Sequence, residues 1–376
     1  MNAVVGVAHA YERETFLSEA KERWEAAFGK PTPEAESYLT QIWSDALADD
    51  MRGLDLHPLL SIVEGFWSFA EDRPADKIRV RVQPALDASG TALGRDVLEV
   101  VGQDRPFLVD SVMGEISAQG LDVRAMFHPI VQIRRDDEGK RVQSGGRVIA
   151  ESMIQVHLEP LDAASRRMLE EGVRETLGDV RAAVEDWADM RAQMDEAIEH
   201  LKNANTKAPR EEVDEALDFL SWLRDNHFAF LGCRAFEFDV DESGQLKSRE
   251  PVVLTETGRG VLRDPDVHVL RKSAEPSHIS EAVETFLRAP SPVIVAKANL
   301  KSRVHRRVYM DYVGVKRYRE DGVVIGETRF VGLFTAEAYD QMARDVPLIR
   351  RKVRRVLERA AKAPGSHSAK KLQNIV

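Results

Sequence analysis

The residues best suited to ligand chemistry lie in the stretch 95–112, RDVLEVVGQDRPFLVDSV. An apolar strand there runs into a tight turn, and a helix follows at once. Asp104 is placed to cap that helix and Pro106 falls inside its first turn, so backbone amides near the turn lack intrahelical partners. Free amides at a helix N-terminus bind anions. The pattern therefore predicts a cleft that takes the carboxylate of a small ligand.

Four residues of this stretch are candidate effector-binding residues. We expect the turn amides after Gly102 and the capping Asp104 to contact the ligand, with Arg105 as a carboxylate partner and Asp110 as an amine partner. The alternative is an ordinary strand-to-helix corner, in which Asp104 only caps the helix and Arg105 belongs to a surface ion pair.

Motifs for catalysis, nucleotide binding and metal binding are missing from the sequence. The sequence contains no His-x-x-x-His pair and no Gly-x-Ser-x-Gly elbow. It also contains neither of the nucleotide-binding motifs Gly-x-Gly-x-x-Gly and Gly-x-x-x-x-Gly-Lys. His128, His227 and His305 are interpreted as structural or surface residues, and Cys233 as a buried thiol. We therefore predict no catalytic, cofactor-binding or metal-binding residue in this span.

The composition is that of a globular protein that does not bind nucleic acid. Hydrophobic residues make up 43% of the chain and charged residues 31%, and its 376 residues suffice for two or three domains of about 150 residues. The formal charge of -10 disfavours phosphate contacts, which need a cationic face. A single cysteine excludes an internal disulfide and indicates a cytoplasmic protein. Since apolar runs of about 18 residues are missing, we expect no membrane helix.

The hydrophobic periodicity predicts a helical arm and then a β-α-β-β-α unit. The elements of that unit are strands at 96–102, 121–134 and 147–158 and helices at 106–119 and 162–178. This is the βαββαβ, ferredoxin-like arrangement of ACT domains without its last strand. We expect the strand at 77–83, where Val80 and Val82 alternate with arginines, to fill the missing edge position.

A helical spacer follows, with a long helix from Val180 and another after Pro209. The elements predicted beyond it are strands at 228–240, 293–298, 304–319 and 323–334, a hairpin turn at Asp321-Gly322, a short helix at 279–288 and a basic helix at 346–362. Mostly antiparallel strands with short helices between them describe an α+β domain of PAS-like type.

The predicted fold class is therefore α+β, in five parts. These are a helical arm (1–74), a ferredoxin-like, ACT-type βαββα(β) domain (75–179), a helical spacer (180–226), a mostly antiparallel PAS-like α+β domain (227–340) and a basic C-terminal helix with a tail (341–376). The boundaries follow the changes between helical and strand periodicity.

Four blocks, in order and approximate spacing, resemble the N-terminal region of the large bacterial NAD-specific glutamate dehydrogenases. They are VLEVVGQDRPFLVDSV (97–112), LRDNHFAFLGCRAFEF (223–238), the strand-rich run 301–335 and the basic segment 346–375. The third block is the most specific, and the likeness extends over nearly the whole chain after residue 75.

The resemblance implies ACT-like and PAS-like modules in front of a dehydrogenase domain that converts L-glutamate and NAD to 2-oxoglutarate, ammonia and NADH. It also implies a homo-oligomer that is held together through its N-terminal domains and takes an amino-acid effector. The family's catalytic lysines and NAD-binding fold have no matching positions in this sequence. We therefore expect a regulatory segment that is inactive alone, with NAD as a cofactor of the full-length enzyme only.

Two alternatives stay open at the level of the sequence. The first is a ligand-free assembly scaffold, whose amphipathic helices dock subunits. The second is a free-standing amino-acid-sensing ACT protein.

Overall fold

A computed structural model describes residues 15, 17–45, 56–74, 76–247, 251–267 and 289–354. The predicted helix at 279–288 lies outside the described residues, as do most of the predicted basic helix at 346–362 and the tail. Two compact units make up the chain: residues 1–180 with 303–307, and residues 181–302 with 308–376. The division into five parts stays a prediction.

Among the described residues of the first unit, three helices come before the sheet: α1 (17–28), α2 (Pro33–Asp45) and α3 (Leu56–Phe69). The chain leaves α1 at Gly29, whose φ of 78° is a left-handed conformation that glycine adopts without strain. The hydroxyl of Thr32 accepts a hydrogen bond from the Ala35 amide at 3.3 Å and so caps α2. These helices confirm the predicted helical arm.

A sheet with two helices follows the arm: β1 (Arg79–Leu86), β2 (Ala92–Gln103), α4 (Leu108–Ala118), β3 (Val123–Phe127), β4 (Ile130–Arg135), β5 (Arg147–Leu158) and α5 (Ala163–Glu185). The strands are antiparallel in the order β1-β2-β5-β3, and β4 also pairs with β5. Arg79 of β1 lies opposite Val101 of β2, so the strand predicted at 77–83 fills the edge position. The ferredoxin-like, ACT-type arrangement is confirmed.

The prediction of one continuous strand at 121–134 is wrong, because β3 and β4 stand in its place. The break falls at His128-Pro129, since proline has no amide hydrogen to donate to a neighbouring strand. The Pro129 carbonyl still accepts a hydrogen bond from the Met153 amide at 3.0 Å. Both short strands therefore stay paired with β5, one after the other.

One face of this sheet packs against the helical arm. Side chains alternate between the two faces of a strand, and on this face Val101 of β2 and Met153 of β5 are buried. The arm adds to the same cluster Trp24, Tyr38, Leu39, Ile42, Leu59, Leu60, Val63, Phe66 and Trp67. Arm and sheet therefore share one hydrophobic core.

Arg73, Arg135 and Glu151 form a buried ionic cluster in the first unit. Glu151 of β5 accepts hydrogen bonds from Arg73 (Nη2 to Oε1, 2.6 Å) and from Arg135 (Nη2 to Oε2, 2.7 Å). Further guanidinium hydrogens go to backbone carbonyls, among them that of Ala70 just after α3, 2.8 Å from Arg135 Nη2. A buried charge is tolerated when it is paired and hydrogen-bonded in this way.

The second unit contains α6 (Trp187–Asn203), α7 (Arg210–Trp222), a π-helical turn (Leu223–His227), β6 (Phe228–Glu237), β7 (Val252–Gly260), β8 (Val293–Lys301), β9 (Tyr309–Tyr318), β10 (Val324–Phe334) and a short α8 (Ala336–Tyr339). Residues 349–354 are also helical. The five strands are antiparallel in the order β7-β6-β10-β9-β8. Helices and sheet share a buried cluster that includes Met194, Leu201, Phe219, Val313 and Phe330.

The prediction that a new helix starts at Val180 is wrong, because α5 continues to Glu185 and α6 begins at Trp187. Asp186 stands between them. Its carboxylate accepts hydrogen bonds from the Gly260 amide at 2.7 Å and from Arg263 Nη2 at 2.7 Å. These long-range bonds hold the residue at the break.

The strand predicted at 304–319 begins only at Tyr309. The residues before it form a turn, in which the Arg306 amide donates to the Val304 carbonyl at 2.9 Å. His305 has a φ of 64°, which a β-strand does not accommodate. This turn belongs to the first unit.

Candidate effector-binding site

The predicted effector-binding residues lie at the end of β2 and the beginning of α4. Gly102 is the last residue but one of β2, and a Cβ at this position would lie 3.0 Å from Ile78 Cγ1. The Asp104 amide donates to the Ala150 carbonyl at 2.9 Å, which continues the pairing of β2 with β5. That amide is therefore already used within the sheet.

The prediction that Asp104 caps the helix is wrong. α4 begins at Leu108, and the residue before it, Phe107, has a φ of 71° and provides no side-chain cap. A phenylalanine in this left-handed region costs about 1 kcal/mol or more. Because Phe107 redirects the chain, the helix starts two residues later than predicted and the proline lies before it. Arg105 Nη2 lies 3.5 Å from Gln103 Oε1.

Asp110 is engaged by a histidine of the segment 303–307. Its Oδ2 accepts a hydrogen bond from His305 Nδ1 at 2.8 Å, and the Ser111 hydroxyl accepts one from the His305 amide at 2.9 Å. The His305 ring lies against Phe107, with the ring centroids 5.3 Å apart. The residue predicted as an amine partner therefore already binds an N–H donor.

Two arginines of the same segment pair with acidic residues of α4 and α5. Arg307 forms an ion pair with Glu115, whose Oε2 also accepts the Thr176 hydroxyl at 3.0 Å. Arg303 Nη1 donates to Glu175 Oε2 at 2.8 Å. None of these residues is among those predicted for the site. The basic run RVHRR carries a signal in the sequence, but local spacing does not show which acidic residues it meets.

Burial disfavours the charged form of a titratable group, and it is the main cause of the displaced pKa values of His157, Lys316 and Cys233. Burial lowers the pKa of His157 to about 3 and that of Lys316 to about 8, and it raises the pKa of Cys233 to about 12. Cys233 Sγ donates to Gln193 Oε1 at 3.2 Å. The prediction of a buried thiol is confirmed.

Within the described part of the chain, no group of three or more His, Cys, Asp and Glu side chains could hold a metal ion. No helix described there is both long enough and apolar enough to cross a membrane.

Two family models match this chain. The ACT1 domain of glutamate dehydrogenase matches residues 38–173, a range that contains all five strands of the first sheet. Helical motif 1 of glutamate dehydrogenase matches residues 346–376.

Three curated proteins are similar over most of the chain. The NAD-specific glutamate dehydrogenase of Pseudomonas aeruginosa is 32% identical over 358 residues, which are 92% of this chain and 22% of that protein. That of Halomonas elongata is 32% identical over 384 residues, covering 98% and 23%. That of Mycobacterium tuberculosis is 25% identical over 315 residues, covering 81% and 18%. The chain thus spans about a fifth of the length of these relatives.

The antiparallel sheet and the ACT1 match together define a protein with an ACT domain of the glutamate dehydrogenase type. The chain corresponds to the N-terminal region of the large NAD-specific glutamate dehydrogenases. The resemblance drawn from the four sequence blocks is confirmed.

Proposed function

We propose that this chain is the regulatory and oligomerisation region of a large NAD-dependent glutamate dehydrogenase, which as a whole converts L-glutamate and NAD to 2-oxoglutarate, ammonia and NADH. The observation that carries the proposal is the ACT1-type domain. The chain that contains it aligns with about a fifth of the length of each relative named NAD-specific glutamate dehydrogenase. NAD is then bound outside this region. The enzyme works in the cytoplasm as a homo-oligomer, and neither nucleic acid nor a membrane is a partner.

The proposal includes the PAS-like character of the second unit. The first two strands of that unit, β6 and β7, form one side of the sheet, and β8 and β9 form the other, with β10 between them. Such an antiparallel sheet with helices on one face is in keeping with an α+β sensor domain.

The regulatory role places an amino-acid effector at Gly102, Asp104, Arg105 and Asp110. Asp110 supports this site, because 56% of its side chain is exposed. An effector ammonium group would take the place of the His305 imidazole there. Control of catalysis then follows from a difference in effector affinity between two arrangements of the enzyme.

Calorimetric titration of the chain with L-glutamate, L-leucine, L-arginine and L-aspartate tests the effector site. We expect the site at α4 to give binding heat of its own, which Asp110→Asn loses and Asp122→Asn retains. Asp122 is a matched control because it is an exposed aspartate just after the far end of α4. Flat titrations with all four amino acids would refute the effector role.

A ligand-free assembly scaffold is the second candidate function, and the engagement of Asp110 by His305 favours it. Light scattering would then show association that increases with concentration while every titration stays flat. A free-standing sensor is distinguished by the mass of the native polypeptide, which would equal that of 376 residues.

A further inference from the structure

The second unit contains a groove of about 580 Å³ between α6 and the strands β7, β6, β10 and β9. Its floor is a row of residues in register, in which Ala235 lies directly opposite both Leu254 and Thr328. From the helix, Ala192 and Ala197 line the other side. Because both sides carry small side chains at these positions, helix and sheet do not close on each other and a space is left between them.

Two donors lie at one end of the groove. The Nη1 atom of Arg317 is buried, donates no hydrogen bond and lies 3.5 Å from Glu237 Oε1. The Nε2 atom of His200 accepts a hydrogen bond from the Tyr318 amide at 2.8 Å, so the neutral ring carries its proton on Nδ1. Burial, together with the nearby Arg317, lowers the pKa of His200 and favours this neutral form. A guanidinium beside a ring N–H suits a carboxylate.

An acceptor stands next to these donors. Glu196 lies one helical turn before His200 on α6 and lines the same groove. Within the part of the chain that the structure describes, its carboxylate forms no ion pair and accepts no hydrogen bond. The far end of the groove is also polar, because Thr257 and Arg259 line it. Arg259 Nε forms an ion pair with Asp189 Oδ2 at 3.0 Å.

We propose that this groove binds a free α-amino acid with a polar side chain. Its carboxylate contacts Arg317 and His200, its ammonium group contacts Glu196, and its side chain extends along the floor toward the far end. A zwitterion satisfies both ends of the groove, whereas a plain acid leaves the carboxylate of Glu196 unmatched. A plain amine leaves Arg317 Nη1, which is paired with Glu237 but donates no hydrogen bond, without an acceptor. The role of this site in regulation rests on the proposed function, whereas binding itself does not.

Calorimetric titration of the full chain with L-glutamate and L-glutamine tests the charge pattern. Glutarate lacks the ammonium group of glutamate. 4-Aminobutyrate lacks its α-carboxylate, so three methylene groups separate its ammonium group from the carboxylate that remains. We expect an amino acid to bind and both analogues to bind about tenfold more weakly or worse, which is the contribution of one charge-assisted hydrogen bond. Glutarate or 4-aminobutyrate binding as tightly as glutamate would overturn the proposal.

Variants locate the site. Arg317→Gln and Glu196→Gln, both at partly or fully exposed positions, each weaken binding about tenfold to a hundredfold. Arg319→Gln is the matched control, because Arg319 pairs with its neighbour Asp321 and retains wild-type affinity.

The test also separates the groove from the site at α4. Asp110→Asn retains the binding heat of the groove, whether or not the site at α4 also binds an amino acid. Heat that is lost in Asp110→Asn and kept in Arg317→Gln overturns the groove and leaves the proposed effector site standing. No heat with either amino acid up to about 10 mM overturns the groove as well, while the oligomerisation part of the proposed function is unaffected.

Discussion

His157 makes the first unit sensitive to acid. The residue is fully buried on β5, and its Nδ1 has no hydrogen-bond partner. Burial, reinforced by the charge of Arg95, lowers its pKa to about 3, whereas a histidine in an unfolded chain has a pKa of about 6.5. The folded state therefore binds the proton more weakly than the unfolded state. The stability that depends on the neutral ring is complete above pH ~6.5 and is lost progressively as the pH falls toward ~3.

The size of this effect follows from the two pKa values. Each pH unit below 6.5 costs about 1.4 kcal/mol, so lowering the pH from 7 to 5 reduces the free energy of unfolding by about 2 kcal/mol through this one residue. That loss corresponds to a roughly thirtyfold larger opening constant. Hydrogen exchange of peptides from 147–158 measures it, when wild type and His157→Gln are compared at the same pH so that intrinsic exchange rates cancel.

We expect wild type to lose about thirtyfold more protection than His157→Gln between these two pH values. His128→Gln is the control, since His128 is only partly buried between β3 and β4, and it should keep the wild-type pH dependence. An equal loss of protection in wild type and His157→Gln would refute the argument from burial.

Buried groups elsewhere lead to three more expectations. Glu151→Gln leaves two buried arginines without a counter-charge and lowers the free energy of unfolding in urea by about 3–5 kcal/mol. The control Glu170→Gln breaks only a half-exposed ion pair and lowers it by about 1 kcal/mol at most. Equal losses in the two variants would contradict this. Cys233 of the native chain does not react with a thiol reagent at pH 8, because burial raises its pKa to about 12. In urea the thiol is exposed and reacts. Rapid labelling of the native chain would contradict this expectation. Gly260→Ala lowers the free energy of unfolding, measured by thermal unfolding, by more than about 1 kcal/mol. The reason is that φ is 61° at this position and a Cβ would lie 2.0 Å from a backbone carbonyl oxygen. In the control Gly90→Ala the new Cβ meets open space, and the loss should be smaller.

The regular parts of both units could be predicted because they follow from local periodicity. The alternation of Val80 and Val82 with arginines is enough to predict β1, and the bounds predicted for β5 agree with the structure. Asp321-Gly322 predicts the hairpin between β9 and β10, where Gly322 has a φ of 82°. In each case the residues that decide the structure are close together in the sequence.

The candidate site could be predicted only in part, because its geometry depends on distant contacts. The left-handed conformation of Phe107 is not a property of phenylalanine, and it moves the start of α4 away from Asp104. Asp110 and His305 are 195 residues apart, so no local spacing shows that they meet. The groove beside Arg317 requires the strand order of the second sheet, which periodicity does not provide.

NADH formation by the purified chain separates a regulatory region from a catalytic one. With saturating L-glutamate and NAD, we expect the chain to form no NADH above the rate without protein, while the full-length enzyme forms it continuously under the same conditions. Glutamate-dependent NADH formation by the 376-residue chain alone would contradict the proposal, because it would place a dehydrogenase centre among these residues.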